Sequence, residues 1–181
     1  MFNFSLAGRF ARKKLADNRD NYFRMAYAWC GDPALADDLV QEMMLKSLEK
    51  SHQLKNISRF LPWSYQILHN CWLSHLRAQK PNVDFDEEMV ICEDCPERSY
   101  QTDMIGQAVH LAIGKLPIGQ KQVLMLIDLE GFSYKEVAEI LTIPMGTVMS
   151  RVSRARTSLE KSLSAMREPA ETNIRKLRSI K

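Results

Sequence analysis

The chain has 181 residues, 45% of them hydrophobic, and 25 Lys/Arg against 22 Asp/Glu give a net charge of +3. That is enough apolar material for one core or two small ones. There is no run of eighteen apolar residues, and the opening MFNFSLAGRFARKKLA lacks an apolar segment long enough for export, so membrane insertion is excluded and a cytoplasmic protein is expected. Four cysteines without an export signal fit a reducing compartment better than a disulfide framework.

The near-neutral total hides a pattern. Residues 1–81 carry 12 Lys/Arg against 7 Asp/Glu, residues 82–105 carry 1 against 8, and residues 106–181 carry 12 against 7. Two basic blocks flank an acidic strip, as expected if both ends approach a polyanion while the middle avoids or imitates one.

Helical periodicity dominates and no strand alternation persists, so the fold is expected to be all-α, two small helical domains joined by a linker. Tyr22, Ala26 and Trp29, with Phe23, Tyr27 and Cys30, form the face of a helix ending at Gly31. Asp32-Pro33 supplies an N-cap and a first-turn proline for a second helix, with apolar rows Leu35, Leu39, Met43 and Val40, Met44, Leu48. A third runs from near Pro62 to about Arg77 and is expected to bury Trp63, Ile67, Leu68, Cys71 and Trp72. These make a first domain over 1–79. Residues 80–103 hold two prolines, seven carboxylates before Arg98 and no helical stripe, and read as an acidic linker.

The second domain, 104–165, begins with a helix over about Met104–Lys115 and continues with one opened by Pro117 and closed by Gly131. Ser133-Tyr134-Lys135-Glu136 then reads as a capping box opening a short helix with an inner face of Val137, Ile140 and Leu141. Thr142-Ile143-Pro144 breaks that helix, and a last one is expected from about Pro144 to Ala165, followed by a poorly ordered basic tail over 166–181. Two helices across a short break, the second rich in arginine, are the pattern of a helix-turn-helix.

Angles sort the last helix. At about 100° per residue, with Val148 at zero, Val152, Ala155 and Leu159 fall within about 40° and make the buried stripe. Ser150, Ser153, Arg154 and Thr157 lie between about 140° and 240°, on the face offered to a DNA groove. Arg151, near about 300°, and Arg156, near about 80°, flank the stripe and are expected to anchor phosphates. Gly146 and Thr147 are small enough for the helix end to approach a DNA backbone.

Taken together, LPIGQKQVLMLIDLEGFSYKEVAEILTIPMGTVMSRVSRARTSL resembles the C-terminal promoter-binding domain of bacterial sigma factors. YAWCGDPALADDLVQEMMLKSLEK, followed by FLPWSYQILHNCWLSHLR, resembles their second conserved region. With only these two domains and a short linker, the chain resembles the small extracytoplasmic-function class. The resemblance implies that Asp38, Gln41 and Glu42 dock on the clamp helices of the largest RNA polymerase subunit, and that the second domain meets the flap of the second-largest. These three residues independently share one polar face of the second helix, suited to a basic partner.

It further implies that Asn70, matching an asparagine ahead of the reading helix, and Arg77 serve the minus-ten element. Thr147, Ser150, Arg151, Ser153, Arg154 and Arg156 would then serve the minus-thirty-five element. Promoter DNA, core polymerase and an anti-sigma factor are the implied partners. Departures from the family pattern are Ser74 in place of an acid, Trp72 and His75 as neighbours of Asn70, and Met149 where Lys or Arg is usual. Family linkers pass through the RNA exit path, which a carboxylate-rich strand containing Asp86, Glu87 and Glu88 would suit.

Cys92 and Cys95 form a CxxC, and Cys71 and His75 sit four apart, so a four-ligand metal site can be drawn, but only weakly; no metal or other cofactor is expected. No phosphate-binding loop, HExxH or GxSxG motif is present and the four histidines are scattered, so no catalytic role is expected. The rival to a sigma factor is a stand-alone helix-turn-helix regulator with an N-terminal sensor domain.

Overall fold

A computed structural model describes residues 6–54, 56–79 and 104–178. The described residues form eight α-helices: α1 (Leu6–Asp17), α2 (Arg19–Cys30), α3 (Pro33–Lys50), α4 (Phe60–Gln79), α5 (Met104–Gly114), α6 (Ile118–Asp128), α7 (Tyr134–Leu141) and α8 (Met145–Arg178). Short 3-10 turns at Ser51–Gln53 and Ile57–Arg59 bridge α3 and α4. The linker assigned to 80–103, with Cys92, Cys95 and the carboxylates 86–88, lies outside the described residues.

Local chemistry sets the helix ends. Gly31 adopts φ 72° and donates its N–H to Tyr27, closing α2 in the left-handed geometry glycine tolerates best. Asp32 then caps α3, its carboxylate accepting from the N–H groups of Ala34 and Leu35 at 2.7 and 3.2 Å. α1 has no counterpart in the sequence reading. The basic run Arg12-Lys13-Lys14 masks a narrow stripe in which Ala11 and Leu15 are buried, while Phe10 meets the Phe60 ring edge-on at 5.8 Å.

In the first domain α2, α3 and α4 pack together, with α1 against α3. Tyr22, Met25, Trp29, Leu39, Met43, Tyr65 and Leu68 fill the core. On α4 the buried face is rotated from the one expected: Phe60, Ser64, Tyr65, Leu68, His69, Cys71, Trp72 and Leu76 are inside, whereas Trp63 and Ile67 are only half-buried. Ser64 goes in because its hydroxyl meets that of Tyr22 at 2.8 Å. Burial pushes the Tyr22 phenol up to about 12, against the lowering effect of that hydrogen bond.

In the second domain, α5, α6 and α7 all contact α8. Lys121 is 2% exposed and donates to the carbonyl of Gly114 at 3.1 Å, closing α5 with a cation at its negative end. α8 does not stop at Ala165. It continues to Arg178 and takes in most of the segment read as a tail, Pro169 included.

The two domains share one continuous core, with α2 against α6 and α4 against α7. Tyr65 of α4 meets Phe132 edge-on at 5.3 Å. Arg59 pairs with Glu139 at 2.8 Å, Gln66 donates to the Glu139 carbonyl at 3.1 Å, and Asn21 donates to Glu130 at 3.4 Å. Burial, reinforced by the Glu130 carboxylate, raises the Tyr65 phenol far above its ordinary value, so this junction holds neutral hydroxyls at any working pH.

Candidate nucleic-acid interface

The helix-turn-helix is held by its caps. Ser133 donates its hydroxyl and its N–H to the Glu136 carboxylate at 2.7 and 2.9 Å, and the Glu136 N–H donates back to the Ser133 hydroxyl at 3.3 Å. The hydroxyl bond first, then the backbone bond, holds the Glu136 carboxyl below its ordinary value. Its stabilising contribution is therefore whole above the ordinary glutamate range and is lost as pH falls through the lowered value. Ser133→Ala should lower unfolding stability by about 1 kcal/mol at neutral pH. Denaturant titrations repeated toward acid pH should show the variant losing less than the parent.

Val137, Ile140 and Leu141 bury the inner face of α7, which ends at Thr142 in left-handed geometry, φ 56°. This bend lets the Ile143 N–H reach the Ala138 carbonyl at 3.1 Å, and Pro144 then receives the first α8 N–H groups, from Thr147 and Val148. Val148, Val152 and Ala155 are buried, whereas Ser150, Ser153, Arg154 and Thr157 are exposed and Thr147 is half-buried. The predicted stripe is buried through Ala155, with Leu159 half-buried, and the four residues of the opposite arc are exposed.

The flanking arginines part company. Arg156 is half-exposed and grips Asp128 with two guanidinium nitrogens, at 2.6 and 3.4 Å; that bond holds it above its ordinary value. Arg151 is not a free phosphate anchor. It is 8% exposed, its guanidinium lying over Gly119 of α6 so closely that a Cβ there would come within 2.9 Å of Cζ. A glycine where any other side chain would stand leaves a slot, and the Arg151 guanidinium fills it.

On the first domain Asn70 lies mid-way along α4 rather than ahead of it, exposed, with the Ser74 hydroxyl donating to its carbonyl at 2.8 Å. Trp63, Asn70 and Arg77 recur every seven residues and so run along one outer stripe of α4. Trp72 is turned inward at 4% exposure, with His75 stacked on it at 6.1 Å. Gln66, one turn before Asn70, donates to the Glu139 carbonyl of α7, so the second domain stands beside this stripe.

Asp38, Gln41 and Glu42 are exposed together on α3; Glu42 pairs with Lys46 at 2.6 Å and Gln41 donates to Asp37 at 2.7 Å. The sequence reading missed Leu45, which is 63% exposed on the same face. Its signal was available, because Leu45 falls about 200° from Met43, off the apolar rows. Cys71 is buried with Lys46 Nζ 3.7 Å from its sulfur, and burial raises its thiol; among the described residues no group of three or more His, Cys, Asp and Glu could hold a metal ion. No helix among the described residues is long and apolar enough to cross a membrane.

Comparison with known proteins gives the same assignment. Residues 15–81 match the sigma-70 region 2 family and residues 106–159 the sigma-70 region 4 family. The chain is 32% identical over 147 residues to RNA polymerase sigma-H factor of Pseudomonas aeruginosa, covering 75% of this chain and 76% of that protein. It is 33% identical over 135 residues to the ECF RNA polymerase sigma factor EcfG of Rhodopseudomonas palustris, covering 74% of each. Among solved structures it resembles the sigma factor RpoE bound to the anti-sigma factor NepR, from Bartonella quintana, with a TM-score of 0.66 and 26% identity over 84% of this chain and 96% of that one. CnrH, solved with the cytosolic domain of CnrY, shares the fold at a TM-score of 0.61 and 20% identity, over 88% of this chain and 96% of that one. The region 2 match falls where a stand-alone regulator would carry its sensor, and sigma factors are DNA-binding initiation factors rather than enzymes. The chain therefore belongs to the extracytoplasmic-function sigma factors, which direct RNA polymerase to promoters to start transcription.

Proposed function

We propose that residues 1–79 bind core polymerase and the minus-ten element while residues 104–165 bind the minus-thirty-five element and the flap of the second-largest subunit. Asp38, Gln41, Glu42 and Leu45 meet the clamp helices of the largest subunit; Asn70 and Arg77 meet minus-ten DNA. Thr147, Ser150, Ser153, Arg154 and Arg156 meet minus-thirty-five DNA, with Asp128 aiming Arg156. The observation that carries this reading is the exposed polar arc of α8 opposite a fully buried stripe, in a chain whose other domain exposes an acidic face on α3. The protein supplies binding energy and no catalytic group, acts in the cytoplasm, and is restrained by an anti-sigma factor, as RpoE is bound by NepR.

The packed arrangement is a resting form. α4, α7 and α8 are separated by two helix-packing steps of about 8–10 Å each. Promoter elements about 25 base pairs apart stand roughly 85 Å apart along B-DNA. Reading both at once requires α4 and α7 to part.

Run-off transcription with core polymerase, with and without the protein, tests the assignment. A promoter-directed transcript only when the protein is present, together with core association, is the expected result; active core with neither would overturn it. In promoter-binding titrations Arg154→Ala should cost about 1–3 kcal/mol and relax specificity at one base position, leaving thermal stability unchanged. Arg151→Ala should do the opposite, losing about 1–3 kcal/mol of stability in denaturant titrations with promoter specificity intact.

A further inference from the structure

We propose that Met149, backed by Met145, reads the C5-methyl group of a thymine in the minus-thirty-five element. The inference rests on α8 being the reading helix and adds a specificity determinant to it. Met149 and Met145 are 55% and 54% exposed, one turn apart on α8. At about 100° from Val148, Met149 stands next to Ser153 at the edge of the groove-facing arc. It lines a shallow depression with Tyr134, Ser153, Arg156 and Thr157. Gly146, between the two methionines, carries no side chain and a Cβ there would meet nothing within 4 Å, so this position adds no bulk to the edge.

The side chain's chemistry narrows the target. A thioether has no N–H or O–H to donate and only a weak acceptor, so it cannot answer the polar edges of guanine, cytosine or adenine. The thymine methyl is the apolar feature the major groove displays, and side chains that read it do so by apolar contact. A flexible, polarizable methionine can follow a methyl group without demanding one docking angle. The neighbouring serines are short, and Arg156 on the same edge is drawn aside to Asp128, so Met149 is free to meet an apolar group.

The test begins with holoenzyme, core polymerase plus the full chain, selecting active promoters from a library randomised upstream of a reporter. Each thymine of the selected minus-thirty-five element is then replaced by deoxyuridine, which removes the methyl and keeps the hydrogen bonds. One such replacement should weaken promoter binding about fourfold, the value of one buried methyl-sized group. Met149→Ala should weaken binding to the thymine promoter by a similar factor and be indifferent to the replacement. Met149→Arg should trade thymine for guanine at that position. Unchanged melting of both variants checks that the fold is intact. If the library yields promoters but none is sensitive to deoxyuridine, or if Met149→Ala keeps the full sensitivity, the inference fails while the sigma assignment stands. A library that yields no promoter would bring down the assignment itself.

Discussion

Leu45→Arg will weaken binding to core polymerase by roughly 10- to 100-fold without lowering the melting temperature of the protein. Leu45 is 63% exposed, so its replacement removes little from the fold. Burying a leucine against a partner is worth about 1.5–3 kcal/mol, and the new cation faces a surface that Asp38 and Glu42 are chosen to meet. Asp38→Ala and Glu42→Ala should act differently, chiefly slowing association and reducing its salt dependence, because exposed charges steer more than they hold. Glu42 is already partnered by Lys46, which tempers its effect further. Equilibrium titration of labelled protein against core measures the first, and stopped-flow association at several salt concentrations measures the other two. A Leu45→Arg chain that binds like the parent would remove this face from the interface.

Phe132→Asp will separate the two domains. Phe132 meets Tyr65 edge-on at 5.3 Å, two residues from Glu130, whose carboxylate accepts from Asn21 of α2. A carboxylate there loses the aromatic contact, about 0.5–1.5 kcal/mol beyond area alone, and places a charge against the buried Tyr65 phenol. Tyr65 is the wrong partner to change, because it also packs on Tyr22 at 4.9 Å within the first domain. The radius of gyration in solution should rise while helix content is kept. Core affinity should rise too, because a partner that takes only the open form no longer works against the closed population. Glu139→Arg should open the junction more weakly, since exposed pairs are worth about 0.2–1 kcal/mol. Adding Arg59→Glu should then restore closure with the charges exchanged. No change in radius for Phe132→Asp would mean that the shared core does not depend on this contact.

Much of this was legible in the residues because it depends on neighbours a few positions apart. The caps at Asp32 and Ser133, the left-handed close at Gly31, and the 3.6-residue stripe of Val148, Val152 and Ala155 are local facts, and each stands where periodicity and turn chemistry put it. The same is true of the exposed arc of Ser150, Ser153, Arg154 and Thr157. α1 escaped because three successive basic residues outweigh a stripe only two residues wide.

What the linear pattern could not settle is which surface a long or amphipathic side chain meets. Arg151 and Arg156 are equivalent by angle, both flanking one stripe. A glycine thirty-two positions earlier admits Arg151 into the fold, while an aspartate twenty-eight positions earlier holds Arg156 out at the surface. Trp63 and Ile67 look like core on a helical wheel, yet the hydroxyl pairing of Ser64 with Tyr22 turns α4 so that they come to its rim. By itself the sequence determined the all-helical fold, the caps that bound α3 and α7, and the buried stripe and exposed arc of α8, all products of short-range periodicity and composition. The docking of α4 on α7, the burial of Arg151 and the turning of Trp63 and Ile67 to the rim were decided only by the tertiary structure, because each depends on shape matched between segments far apart in the chain.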